Sequence, residues 1–187
     1  MRLGIFAIAL WLAIGLDRGL GPLLRLGDGS VEPSFVLPLI VFVALYAPAR
    51  TAMAGAAAAG LIVDLLSPVT LPAGGTAVIP GPNALGLVLA VRLVLALRGQ
   101  VFLNSPLTLV VLTPLAGTAW QITRAGIFAM REAYEPIGTA VLSELGSGLL
   151  SSLLSAGSAF VLWFPLMWCV RWFAFDAPHV SRWASAR

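Results

Sequence analysis

Residues 56–75 read "AAAAGLIVDLLSPVTLPAGG", an apolar run with a single carboxylate, Asp64, near its middle. A charged group inside hydrocarbon is costly, so such a residue indicates either a functional site or a polar contact within the protein. Counting back from Asp64 in steps of four gives Gly60, Ala56 and Ala52, which share one face of a helix. Because small residues let helices pack closely in membranes, we expect Asp64 to face the interior of a helical bundle.

The composition of the chain indicates a membrane protein. Of its 187 residues, 59% are hydrophobic and only 10% are charged, and the mean hydropathy is +0.97. Soluble domains carry about 25% charged residues, so this chain has too little polar surface to face water. We therefore predict a single-domain, all-α integral membrane protein. Its basic residues are all arginines, most of them near the ends of apolar runs, which is typical of topology signals and not of nucleic-acid binding.

The scarcity of cysteine and histidine excludes several kinds of site. Cys169 is the only cysteine and His179 the only histidine, so disulfides, thiolate metal sites and histidine zinc or haem pairs are not expected. The segment "ELGSGLLSSLLSAGSA", residues 144–159, is rich in serine, but a catalytic serine needs a histidine within hydrogen-bond reach. His179 lies well beyond these serines, in the polar tail. We therefore expect helix packing at the serines, and no catalytic residue, metal or cofactor.

The apolar runs predict about six transmembrane helices, since a helix needs about 20 apolar residues to cross a bilayer. The predicted membrane domain comprises residues 1–172, and residues 173–187 are predicted to form an interfacial tail on the cytoplasmic side. The loop 67–82 has no charge but four prolines and three glycines, which favours folding back into the membrane or packing on the bundle. The predicted spans are residues 3–20, 34–47, 51–66, 83–97, 106–122 and 137–170.

Arginine placement predicts the orientation, because basic residues are enriched in cytoplasmic loops. With the N-terminus inside, six arginines lie on the inner side and four on the outer side. The chain is then a multi-pass protein of the cell inner membrane with both termini in the cytoplasm. The inner set is Arg2, Arg50, Arg98, Arg171, Arg182 and Arg187, and the outer set is Arg18, Arg25, Arg124 and Arg131.

The last predicted span repeats the pattern around Asp64. Glu144, Gly148 and Ser152 lie four residues apart on a small-residue face, with the acid near the outer end. We therefore expect Asp64, Glu144, Gly60, Gly148 and Ser152 to face the bundle or a partner helix. A role for the two acids in capping or in binding loop amides is equally open.

Arg92 lies well inside the fourth predicted span, and two interpretations of it stay open. Its long side chain could snorkel to the inner interface, or it could pair with Asp64 or Glu144 inside the bundle.

The order of these features resembles a known family. The segments that carry the resemblance are "VEPSFVLPLIVFVALYAPART" at 31–51, "AAAAGLIVDLLSP" at 56–68 and "GPNALGLVLAVRLVLALRG" at 81–99. They resemble the proline-led second span, the Gly-Leu-x-x-Asp-Leu-Leu-Ser helix and the following Ala-Leu-Gly helix of the rod shape-determining protein MreD family. The resemblance covers about residues 31–100. The linker at 69–83 departs from it, being longer and richer in proline than the family's connector.

This resemblance implies a non-enzymatic scaffold of the bacterial elongasome, which supports lateral peptidoglycan synthesis and cell shape. The implied partner is the transmembrane helix of MreC, and the wider complex would hold MreB and a RodA-type glycosyltransferase with its transpeptidase. MreD proteins are also similar to the S components of energy-coupling-factor transporters, which are six-helix bundles. That similarity implies an alternative function, a substrate-binding subunit of a vitamin transporter.

Overall fold

The computed structural model describes residues 2–25, 31–70, 76–102, 105–132, 134 and 141–173. In these residues the chain is all-α, as predicted, apart from one antiparallel pair of two-residue strands. The predicted tail lies outside the described residues except for Phe173. The elements are α1 Leu3–Leu20 with a 3₁₀ turn at Gly21–Leu24, α2 Val36–Tyr46, α3 Ala49–Leu66, β1 Val69–Thr70, β2 Thr76–Ala77, α4 Pro82–Leu97, α5 Pro106–Glu132 and α6 Val141–Phe173.

Three of the described helical segments are long and apolar enough to cross a membrane: Leu3–Leu24, Ala49–Leu66 and Ser143–Val170. Two further apolar helices, Val36–Tyr46 and Pro82–Leu97, are shorter. The predicted class, a helical membrane protein, is thus supported, and six separate spans stay a prediction.

Helix α5 continues to Glu132, ten residues beyond the predicted span end at residue 122. The prediction ended the span where arginines interrupt the apolar run, but hydropathy marks the end of an apolar surface and not of a helix. No proline occurs between Ile122 and Glu132, so nothing breaks the backbone hydrogen bonding there. As a result Arg124 lies on a helix and not in a loop.

Helix α2 forms the centre of the bundle. Every residue from Val36 to Leu45 is buried, and α2 contacts all five other helices. A helix enclosed on all sides needs no polar face, which accounts for its uniformly apolar sequence. Its eleven residues give a length of about 16 Å, roughly half of the hydrocarbon thickness. Pro38 fits because it lies in the first turn, where an N–H has no acceptor within the helix.

Successive helices run in opposite directions. At one end of the bundle, the backbone N–H of Arg2 donates to the carbonyl of Phe173 at 3.0 Å, which joins the start of α1 to the end of α6. At the same end, Arg98 Nη1 donates to the carbonyl of Ala47 at 3.0 Å. At the opposite end, α1, α3 and α5 finish and α2, α4 and α6 begin. We term it the cavity end, because a cavity opens there between the helices.

Two glycines allow the helices to approach closely. A Cβ on Gly60 of α3 would lie 2.6 Å from the backbone nitrogen of Ala84 in α4. A Cβ on Gly117 of α5 would lie 2.6 Å from the Cβ of Ser152 in α6. Both distances are shorter than real Cβ contacts, so a larger residue would force the helices apart.

Gly60→Ala is expected to lower the free energy of unfolding by about 1–3 kcal/mol, because the new methyl group meets fixed backbone of α4. Gly15→Ala is the matched control, since a Cβ at that exposed helical position meets nothing within 4 Å. Thermal unfolding of both variants in a mild detergent would measure the difference. Equal melting temperatures for Gly60→Ala and the wild type would contradict the close approach.

Candidate functional site

The Asp64 carboxylate binds the first turn of the next helix. Its Oδ2 accepts hydrogen bonds from the backbone N–H groups of Gly81 at 2.8 Å and Ala84 at 3.3 Å, and its Oδ1 accepts one from Asn83 at 3.0 Å. These amides have no acceptor within α4, and Gly81 at the N-cap has no side chain to supply one. Asp64, only 3% exposed, therefore caps α4 from α3, where a negative charge also complements the helix dipole.

A further hydrogen bond joins the start of α4 to α5. Trp120 Nε1 donates to the Oδ1 of Asn83 at 3.0 Å, and both side chains are buried. Gly86, one turn along α4, leaves room for the indole, because a Cβ there would lie 3.3 Å from Trp120 Nε1 and closer still to its Cδ1. Asp64, Asn83 and Trp120 thus join α3, α4 and α5 at the cavity end.

Asp17 of α1 caps the start of α2 in the same way, a role that was not predicted from the sequence. It accepts hydrogen bonds from the backbone N–H of Phe35 and, at 3.3 Å, from the hydroxyl of Ser34. The Ser34 hydroxyl in turn accepts from the N–H of Leu37 at 3.3 Å. The signal in the sequence is the spacing: Asp17 precedes Phe35 by 18 residues, and Asp64 precedes the residues whose N–H groups it accepts by 17 to 20.

Serines on α6 bind the non-helical segment that leads into α2. The hydroxyl of Ser151 accepts from the N–H of Glu32 at 3.1 Å, and that of Ser155 accepts from the N–H of Ser34 at 2.8 Å. The hydroxyl of Ser158 donates to the carbonyl of Ser34 at 2.7 Å. Backbone outside helices must find polar partners when it lies in apolar surroundings, and the α6 serines supply them.

The other predicted residues divide between the bundle and the surface. Gly148 packs on α5, since a Cβ added at this position would lie 2.7 Å from Gln121 Cδ. Ser152 is buried against Gly117 of α5. Both therefore lie within the α5–α6 contact.

Glu144 and Arg92 are not brought together with Asp64. The Glu144 side chain is about half exposed in the first turn of α6, and its Oε2 lies 3.9 Å from Arg124 Nη2. Arg92 lies on the outward face of α4 in line with Leu89, and it pairs with neither acid.

A cavity of about 510 Å³ opens at the cavity end, between the helices that these contacts hold. Its wall combines the end of α1, the segment before α2, the end of α3 and parts of α4, α5 and α6. Ile14, Val36, Leu37, Val63 and Trp120 contribute apolar surface. The charged residues on its wall are Asp17, Arg18, Arg25, Glu32 and Arg124.

These charged groups differ in how well they are paired. Arg25 forms an ion pair with Glu32, and Arg18 donates to the neutral carbonyl of Leu66. The guanidinium of Arg124 lies 5.4 Å above the ring of Phe128, and its buried Nε has no hydrogen-bond partner among the described residues. In the described part of the chain, no three histidine, cysteine, aspartate or glutamate side chains lie together as a metal site would need.

The fold and site together define a helical membrane protein with a polar cavity at one end of the bundle. Comparison with known protein families, curated proteins and solved structures gives no match to this chain.

Asp64→Leu is expected to lower the free energy of unfolding by about 3 kcal/mol, because three N–H groups of α4 lose their acceptor in a buried position. Asp64→Asn should cost less, since it keeps one acceptor oxygen. Glu144→Gln, a change at a half-exposed acid, serves as control and should leave stability nearly unchanged. Detergent unfolding curves that place Asp64→Leu and Glu144→Gln at the same stability would refute the capping role.

Ser155→Ala is expected to destabilise the protein by about 1–3 kcal/mol, because the N–H of Ser34 loses its acceptor. Ser147→Ala is the control, since among the described residues that hydroxyl donates to the Glu144 carbonyl of its own helix and to no other group. Hydrogen exchange of the segment before α2, read by mass spectrometry, should rise in the Ser155 variant alone. Unchanged exchange there would show that α6 does not hold this segment.

Proposed function

We propose that the protein is a non-enzymatic membrane scaffold of the elongasome, which binds the transmembrane helix of MreC and supports lateral peptidoglycan synthesis. Through MreC it would connect to MreB and to a RodA-type glycosyltransferase with its transpeptidase. The proposal rests on the resemblance to the MreD family in residues 31–100. One structural observation supports it further: two of the segments that carry the resemblance, residues 56–68 and 81–99, are joined by direct contacts.

These two segments are the Asp-Leu-Leu-Ser helix and the Ala-Leu-Gly helix. The motif aspartate, Asp64 of α3, caps α4. The motif glycine, Gly60, lets the backbone of α4 approach the backbone of α3. Asn83, directly before the Ala-Leu-Gly sequence, bonds Trp120 of α5. The motif residues therefore fix helix positions, which is what a scaffold requires of them.

A partner helix would fit the outward face of α6. Leu150, Leu153, Val161 and Phe164 are exposed on it, and Gly157 lies between them with nothing within 4 Å of the position of a Cβ. Such a small residue among larger ones forms a recess that accepts a side chain of a packed helix. From Leu150 to Phe164 this face runs for about 21 Å, enough for several turns of contact.

Gly157→Leu is expected to reduce the amount of MreC that co-purifies with the protein from mild detergent by about tenfold, because the leucine fills the recess. Gly15→Leu is the matched control, an exposed glycine on α1 that is equally free of neighbours. Both variants should be recovered as folded protein in wild-type yield. Undiminished recovery of MreC with Gly157→Leu would exclude this face.

The same purification distinguishes the two functions implied by the sequence. Recovery of a single-span partner would support the scaffold. Recovery of a bound vitamin without such a partner would contradict it and favour the S-component alternative.

A further inference from the structure

The cavity wall carries more positive than negative charge, with three arginines against two carboxylates. Both carboxylates already have partners, since Asp17 accepts from the start of α2 and Glu32 pairs with Arg25. The described wall therefore has a surplus of one positive charge, and Arg18 and Arg124 are its two cations without an ion pair to a wall carboxylate.

Arg124 is the less satisfied of these two residues. It forms one long ion pair, from its Nη2 to Glu144 Oε2 at 3.9 Å, which is beyond hydrogen-bond distance. Its buried Nε has no hydrogen-bond partner among the described residues, although a buried donor normally has one. The side chain is only about one-third exposed, so part of this donor set is screened from water while it lines the cavity.

The rest of the wall is mixed in character. Gln121 and Ser67 add polar groups, while Val63, Leu66 and Trp120 add apolar surface. The volume of about 510 Å³ lies within the range of small-molecule sites, roughly 300–1,000 Å³. A ligand that fits such a wall has an anionic group and an apolar or neutral body.

We propose that this cavity binds a phosphate group, carried by an amphiphilic lipid or by a water-soluble molecule, with Arg124 and Arg18 as the binding residues. Phosphate is favoured over carboxylate because it presents more acceptor oxygens, in more directions, to two guanidinium groups that come from different helices. This site adds a ligand to the proposed scaffold and does not depend on MreC binding.

The two sources of phosphate can be separated with two probes. The full-length protein in a non-ionic detergent would be titrated with dioleoyl phosphatidylglycerol in mixed micelles and, separately, with sodium pyrophosphate. Dioleoylglycerol, which has the same acyl chains and no phosphate, serves as the lipid control. Binding is followed by the rise in melting temperature and by native mass spectrometry.

The variants are Arg124→Gln, Arg124→Lys and the control Arg92→Gln, which removes the same charge from the outward face of α4. Arg124→Gln should weaken binding of the recognised probe by about tenfold. Arg124→Lys, which keeps the charge but loses the planar donors, should weaken it less and keeps the test valid if the glutamine variant is unstable. Arg92→Gln should bind as the wild type does.

Each outcome decides the proposal. Arg124-dependent binding of phosphatidylglycerol assigns a lipid, and Arg124-dependent binding of pyrophosphate assigns a soluble phosphate compound. Binding of neither probe overturns the site, as does an equal loss of affinity in Arg92→Gln and Arg124→Gln.

Discussion

The carboxylate of Asp64 binds three backbone amides of another helix, and the packing of α3, α4 and α5 depends on this contact. The first turn of any helix exposes N–H groups without acceptors, and leaving them bare in apolar surroundings costs several kcal/mol. Here α4 starts with Gly-Pro and lacks a capping side chain of its own. The cap comes from α3, so the end of one helix sets the start of the next.

The same constraint explains the segment around α2. Because α2 is short and central, the chain must enter the bundle as non-helical backbone, whose polar groups need partners. Asp17 supplies acceptors from one side, and the hydroxyls of Ser155 and Ser158 bind the amide and carbonyl of Ser34 from the other. Asp64 and the α6 serines, which first suggested chemistry, thus bind backbone groups, whereas Glu144 is half exposed and pairs with Arg124.

Local properties of the fold could be predicted from the sequence, and long-range ones could not. The row of small residues before Asp64 indicates a packing face because helical periodicity is local. The amides that Asp64 binds lie 17 to 20 residues further on, beyond a linker rich in proline and glycine whose sequence shows no helical periodicity. The central position of α2 was also hidden, since lipid tails and a bundle interior favour the same apolar side chains. The serine row of α6 indicated a packing face, but it could not show that part of its partner is extended backbone.

Arg124 shows how the length of a helix bears on function. The predicted span ends at residue 122, and an arginine in a loop beyond it would report only on topology. Because α5 continues to Glu132, the same residue becomes part of a helix wall, held beside Gln121 and Phe128. A guanidinium fixed on a helix and partly screened from water attracts anions more strongly than one on a solvated loop, since less solvent competes for its donors. The capping aspartates hold the helices that form the cavity, and their carboxylate oxygens accept hydrogen bonds from backbone amides. Arg124 and Arg18 have no such ionic partner on the described wall, so their guanidinium groups are the cations that the cavity presents to a ligand.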